Sequence, residues 1–400
     1  MGLQGSLLSL ADGMAGSLGL LRRPLDADGL IAAARRRSRQ HEFGDTSFAE
    51  PLRRFLIACV DEASLSVVGR MATRWDVVRF LSNLLRMQEA EQRDPAISMQ
   101  SIDRPIFITG LPRSGTTFLH RLLMEDPDNR APRVWQTIYP YPPRRGRDNR
   151  TARVAGQLRA FERLAPEFRA LHPLEATSPQ ECSEITAHVF RSLRFDTTYR
   201  IPSYRRWLDH DDHAPAYRFH RRFLQHLQHQ APGGRWVVKC PDHLFALEAI
   251  RAVYPDARLV FVHRDPVKVL LSVAKLTEVL RRPFTRRLDR AEIGRQESAR
   301  WLEGTQRMIN AGSHAGLTEP IHHVHHERLV ADPAGTVAAL YRHFGLLLAP
   351  SVKAAIERYA QQQPRGGYGP RDYRFEHHGL GAGAEREKFR PYTERFDVSC

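Results

Sequence analysis

Apolar positions along this chain follow two periods, and the switches between them outline the fold. From about Ser6 to Met99 the spacing is helical. Glu50 to Val60 and Trp75 to Leu85 place their Leu, Ile, Val and Phe residues on one face, and Pro51 suits a first helical turn. These amphipathic faces predict a helical cap over residues 1–100, packed on a unit that begins near Ile102. Short continuous apolar runs then take over, predicting strands at Pro105–Thr109, Arg235–Lys239, Arg258–Val262 and Ile321–His325, with helices near Thr116, His243 and Val267. Strands separated by helices imply an α/β fold with a parallel sheet, whose ligands gather at the carboxyl ends of the strands. Residues 130–230 interrupt this alternation with a helical and irregular insert rich in Tyr, Pro, Trp, Arg and His, of the kind that shapes a substrate pocket. Residues 364–373, rich in Gly, Arg and Tyr, read as a loop before a final polar segment.

Composition narrows this picture only in part. A chain of 400 residues that is 42% hydrophobic can bury a large core and is not a disordered protein. Its 60 basic against 45 acidic residues give a formal charge of +15, and apart from Lys239, Lys268, Lys275, Lys353 and Lys388 the basic residues are arginines. Such a field attracts anionic cofactors, substrates, membranes or nucleic acid without choosing among them. Cys59, Cys182, Cys240 and Cys400 lack a paired or metal-ligand spacing, which predicts a reducing, cytoplasmic setting and no disulfide framework. Asp12 interrupts the first apolar residues and no basic stretch precedes them, against a signal peptide. Met1-Gly2 with Ser6 matches the letters of an N-myristoylation motif, a short pattern that chance often supplies. No run approaches membrane-spanning length, so membrane contact is expected only at the periphery, through the basic amphipathic helices. The histidines of His322-His323-Val324-His325-His326 divide between two strand faces, thin support for a metal site, and Tyr204 and Trp207 read as packing residues.

The chemistry begins where the first strand ends. Gly110-Leu111-Pro112-Arg113-Ser114-Gly115-Thr116-Thr117 has the glycine spacing of a triphosphate-binding loop, but Thr116 stands where the lysine for the β and γ phosphates belongs. A helix starting there still presents unpaired N–H groups and its dipole to an anion, and Arg113 adds a full charge. A second candidate follows the third strand: Arg264, in His263-Arg264-Asp265-Pro266, at the strand's edge, and Ser272 two turns along the next helix. An arginine fork beside a hydroxyl makes a phosphate site. The absence of an Asn at the required offset excludes the kinase catalytic loop.

Two phosphate sites on neighbouring strand ends call for a nucleotide phosphorylated at both ends of its ribose. With Glu181-Cys182-Ser183-Glu184, Lys239-Cys240-Pro241-Asp242-His243-Leu244 and Glu327-Arg328-Leu329-Val330-Ala331-Asp332-Pro333, the chain resembles the bacterial sulfotransferases that use 3′-phosphoadenosine 5′-phosphosulfate. The resemblance covers most of the chain beyond the helical start. It implies a P-loop-like three-layer fold over residues 101–363, with residues 364–400 forming a C-terminal loop and tail that close over the cofactor through Arg365, Arg371 and Tyr373. Arg113, Ser114, Gly115, Thr116 and Thr117 would bind the 5′-phosphosulfate, Arg264 and Ser272 the 3′-phosphate, and the product would be adenosine 3′,5′-bisphosphate. No metal is required, because a sulfuryl group carries less charge than a phosphoryl group.

In-line transfer needs a stabilised leaving oxygen and a deprotonated acceptor. Arg113 and Lys239 are the candidates for the leaving side, Lys239 by resemblance to a catalytic lysine in a similar Lys-x-Pro segment; its bland alternative is a surface lysine ending a strand. Glu181 is the first choice of base, on the expectation that a dry pocket raises its pKa toward working pH. Glu175, Glu184 and His172 compete with it, because Arg133 to Thr137, where many relatives carry a base, holds no carboxylate. His243 is the candidate for polarising the acceptor, a small molecule, carbohydrate or lipid; nucleic acid is not expected. The competing functional classes are a basic nucleotide- or nucleic-acid-binding regulator and a kinase-like phosphotransferase.

Overall fold

The computed structural model describes residues 25–311, 320–362 and 374–399. Five parallel strands form the sheet in the order β2-β3-β1-β4-β5: β1 Ile106–Gly110, β2 Asn129–Arg130, β3 Arg235–Lys239, β4 Arg258–His263 and β5 His322–His325. Four of them lie where the apolar runs place them. The fifth, β2, is two residues long and polar, so it carries no sequence signal. β1 is central, with Ile106 opposite Val237 of β3 and Arg258 of β4.

Alternation along the strands divides the core into two faces. Ile106, Ile108, Val237, Val260 and Val262 meet Leu119 and Leu122 of the Thr116–Leu123 helix, together with Val337 and Ile356 from the helices after β5. Phe107, Trp236, Val238, Leu259 and Phe261 join a larger apolar cluster on the other side. Leu30, Phe55 and Phe80 of the N-terminal helices Ala27–Ser38, Ala49–Asp61 and Val67–Arg93 belong to that cluster too. Helices on both faces of a parallel sheet make three layers, the expected α/β architecture.

The Val67–Arg93 helix departs from the simple amphipathic cap. Ser66 caps it by accepting from the Gly69 N–H at 2.9 Å, and every residue from Asp76 to Leu85 is buried. A helix covered on all sides cannot leave its charged residues unpaired. Arg79 therefore donates to Asp76 at 2.7 Å and to Glu184 at 2.6 Å, while Arg194 reaches the same two carboxylates at 2.8 and 3.0 Å. Phe80 lies under both guanidinium groups, 4.1 Å from that of Arg79. Two cations and two anions thus close a square between the N-terminal helix and the insert. Removing one corner leaves Arg79 a buried, half-compensated charge, so Glu184→Ala should lower the unfolding free energy by about 3 kcal/mol. Urea melts of the full chain check this, and a loss within error of zero would show that the square adds nothing to stability.

Candidate functional site

The loop after β1 is shaped by positions that side chains do not tolerate. Gly110 has φ +145, and a Cβ there would stand 2.3 Å from the carbonyl oxygen of Val262 on β4. Gly115 has φ +100, with the His326 ring 3.1 Å from where its Cβ would be. Between them Arg113 takes the left-handed conformation at φ 63, which few non-glycine residues adopt without a compensating function. Gly115 caps the Thr116–Leu123 helix without a side chain, so its first turn keeps donors for an anion. The Ser114 hydroxyl is buried with no hydrogen-bond partner among the described residues. A buried hydroxyl and a helix start beneath two glycines fit a phosphate or sulfate group.

Lys239 reaches the same place from β3. Its side chain is 3% exposed, and the ammonium donates to Thr117 Oγ1 at 3.0 Å and to Glu181 Oε1 at 2.5 Å. Glu181 arrives through the backbone: it forms a parallel bridge with Lys239, and the Cys182 N–H donates to the Lys239 carbonyl at 3.2 Å. The expected upward pKa shift of Glu181 is not found. Burial pushes its carboxyl up, but the Lys239 ammonium and the neighbouring His172 outweigh this and hold it below the usual glutamate value. A carboxyl that is raised nearby is Asp242, pushed up to about 7 by burial and by the charge of Glu181, against the pull of Arg205. It lies three residues beyond Lys239, and its place at the end of a buried run was the available signal. His172 is also within electrostatic reach of Glu181, Lys239 and Arg113, and burial brings it down to about 4.

The second cluster lies at the end of β4. Arg264 donates through Nη1 to the Arg113 carbonyl, and Arg113 Nε donates to Ser272 Oγ at 3.1 Å. Asp265 caps the Pro266–Arg281 helix that carries Ser272, accepting from the Val267 N–H at 2.9 Å. Burial, and next the positive charge of Arg113, hold Arg264 below the usual arginine value. Two guanidinium groups this close, one of them beside the Ser272 hydroxyl, favour a bound anion. The Arg113 side chain therefore reaches the second cluster, whereas the sequence reading puts it at the bond that breaks; its left-handed backbone turns it toward Ser272. A cavity of about 270 Å³ opens beside Arg264 and Lys268. A larger one of about 680 Å³, lined by Asp212, Phe245 and Arg307, borders none of these groups.

Other expected residues lie elsewhere. His243 is buried with its ring 5.0 Å from that of Phe107, and its Nδ1 is hydrogen-bonded to the Tyr217 hydroxyl at 2.6 Å. It shares the Phe107 face of the sheet, whereas Lys239 continues the Val237 face, so alternation separates them. Glu184 belongs to the charge square, Glu175 is exposed, and Tyr204 packs in the core with its hydroxyl donating to the Phe190 carbonyl at 2.8 Å. Arg365, Arg371 and Tyr373, like Met1, Gly2, Ser6 and Cys400, lie outside the described residues. Among the described residues no helix is long and apolar enough to cross a membrane.

Comparison with known proteins places the chain among relatives of one family. A sequence model of the sulfotransferase family matches residues 105–350. The omega-hydroxy-beta-dihydromenaquinone-9 sulfotransferases Stf3 of Mycobacterium bovis and Mycobacterium tuberculosis are each 26% identical over 256 residues, which is 61% of this chain and 63% of theirs. The match thus spans less than two thirds of the length of these curated relatives. The crystal structure of sulfotransferase STF1 from Mycobacterium tuberculosis is 31% identical, with a TM-score of 0.81 over 92% of this chain and 99% of that one. Sulfotransferase STF9 from Mycobacterium avium is 26% identical, with a TM-score of 0.84 over 93% and 97% of the two chains. With its phosphate loop, its parallel sheet and a matched span of more than half its length, the chain belongs to the sulfotransferase family.

Proposed function

We propose that this protein moves the sulfuryl group of 3′-phosphoadenosine 5′-phosphosulfate onto a hydroxyl of a lipid-like acceptor, without a metal and in a cytoplasmic setting. The observation that carries the donor is the pair of anion clusters at adjacent strand ends: Ser114, Gly115, Thr116 and Thr117 for the 5′ end, and Arg264, Ser272 and Arg113 for the 3′-phosphate. Thr116 in place of a lysine leaves the first cluster without the usual group for a triphosphate tail. The lipid acceptor rests on the names of the Stf3 relatives, which act on a hydroxylated menaquinone derivative.

The donor supplies an activated sulfur bonded to a phosphate oxygen. Lys239, fixed by Thr117 and Glu181, donates to that oxygen as the sulfur–oxygen bond breaks, and the helix N–H groups share the developing charge. Glu181 takes the acceptor proton as the new sulfur–oxygen bond forms, so the proton leaves from the side opposite the departing phosphate. The ion pair with Lys239 keeps Glu181 ionised and ready to accept.

Calorimetry on the full chain should show binding of adenosine 3′,5′-bisphosphate without magnesium, weakened about 10- to 100-fold by Arg264→Ala. Preference for magnesium-ATP would sink the reading, and salt-sensitive DNA binding with no nucleotide response would favour a regulator. Lys239→Ala should lower kcat about 10²- to 10³-fold while changing donor affinity less than about tenfold, as steady-state and binding measurements will reveal. The pH profile of kcat identifies the base. A carboxyl held low is ionised above its lowered pKa, so with Glu181 as base the rate falls only on acidification below the ordinary glutamate value of 4.5. A limb near 7 that disappears in Asp242→Asn would move the proton to Asp242.

A further inference from the structure

β4 pairs with β5 as far as His263 opposite His325, and the chain leaves the ladder at Arg264. The turn that begins there is held from outside the sheet by Tyr392, on the Arg390–Phe396 helix, 128 residues after Arg264 in sequence. The Tyr392 hydroxyl is hydrogen-bonded to His263 Nδ1 at 3.0 Å, and His263 Nε2 to His323 Nδ1 at 2.8 Å. Neutral rings satisfy both bonds, with one proton in each. Burial, the leading cause, favours that neutral state, bringing His263 to about 2 and His323 to about 4.

The short helix is held over this turn by its rings. Phe396 lies 4.5 Å from His263 and 5.4 Å from His323, ring to ring, and Tyr392 is 1% exposed within the larger apolar cluster. Its hydroxyl is therefore fixed from behind while Arg264, in front, reaches the Arg113 carbonyl. Val398 and Ser399, just past the helix, line the same cavity of about 270 Å³ as Arg264 and Lys268. The histidines that read poorly as a metal site thus have another occupation.

We propose that Tyr392 is a positioning residue for the second anion cluster: by holding the His263 ring at the end of β4, its hydroxyl fixes the turn that aims Arg264 at the 3′-phosphate of the nucleotide. This rests on the assignment of Arg264 to that phosphate, and Tyr392 itself touches no substrate. Tyr392→Phe removes one oxygen and keeps the ring. It leaves His263 Nδ1 without its partner, so the turn relaxes and the guanidinium loses its aim.

The test compares adenosine 3′,5′-bisphosphate with adenosine 5′-monophosphate by calorimetry on the full-length wild type, Tyr392→Phe and Phe396→Leu. Tyr392→Phe should weaken the bisphosphate about tenfold and leave the monophosphate within about twofold. Phe396→Leu loosens the same helix but retains the hydroxyl, so it should lower the melting temperature and preserve the ratio of the two affinities. Unchanged bisphosphate binding in Tyr392→Phe, or an equal loss for both nucleotides, would overturn the inference. Equal affinity of the wild type for both nucleotides would instead overturn the assignment of Arg264, and the inference with it.

Discussion

The parallel pairing of β1 on both its sides is the constraint from which the rest of the site follows. Ile106 is level with Val237 on one side and Arg258 on the other, so all three strands end at one edge of the sheet. The phosphate loop, Lys239 and Arg264 then emerge together, although long stretches of sequence separate them. Only parallel strands can do this, because an antiparallel neighbour would put its end at the far side. The apolar alternation that drives this pairing also covers both faces of the sheet, and it leaves polar side chains free to converge only where the strands end.

At that edge the electrostatics are strongly coupled. Lys239 is almost wholly buried, a costly position for an ammonium unless a carboxylate accompanies it. Glu181 supplies that carboxylate and is lowered by it, while the negative charge of Glu181 contributes to raising Asp242. One ion pair thus divides two nearby carboxyls into an ionised group and a group that titrates near neutrality. The cationic pair Arg113 and Arg264 is the complementary case, like charges held close by backbone geometry.

Much of this was legible in the sequence, and the parts that were not share a physical cause. Local signals are strong for the strands at Ile106, Arg235 and Arg258, for the loop glycines and for the Arg264 and Ser272 spacing, because each depends on neighbours in the chain. β2 escapes because two polar residues have no period. The surroundings of Lys239 escape in part, since Glu181 meets it through a bridge across 58 residues. His243 misleads because a short turn after β3 rotates it onto the opposite face, which letters in a motif do not reveal. The Glu181 shift was expected with the wrong sign because burial, which a sequence hints at, is outweighed by a partner charge, which it does not locate.

The close contact between Gly110 and the Val262 carbonyl fixes how the β1 loop sits against β4. With a backbone atom where a Cβ would be, the β1 loop cannot slide against β4, and the two anion clusters keep a separation set by main chain against main chain. The strand ends that carry the two clusters are thereby held in register, whatever rotamers Arg113 and Arg264 adopt. A fixed spacing of this kind is what the proposed donor, charged at two separate positions of a rigid sugar, would require.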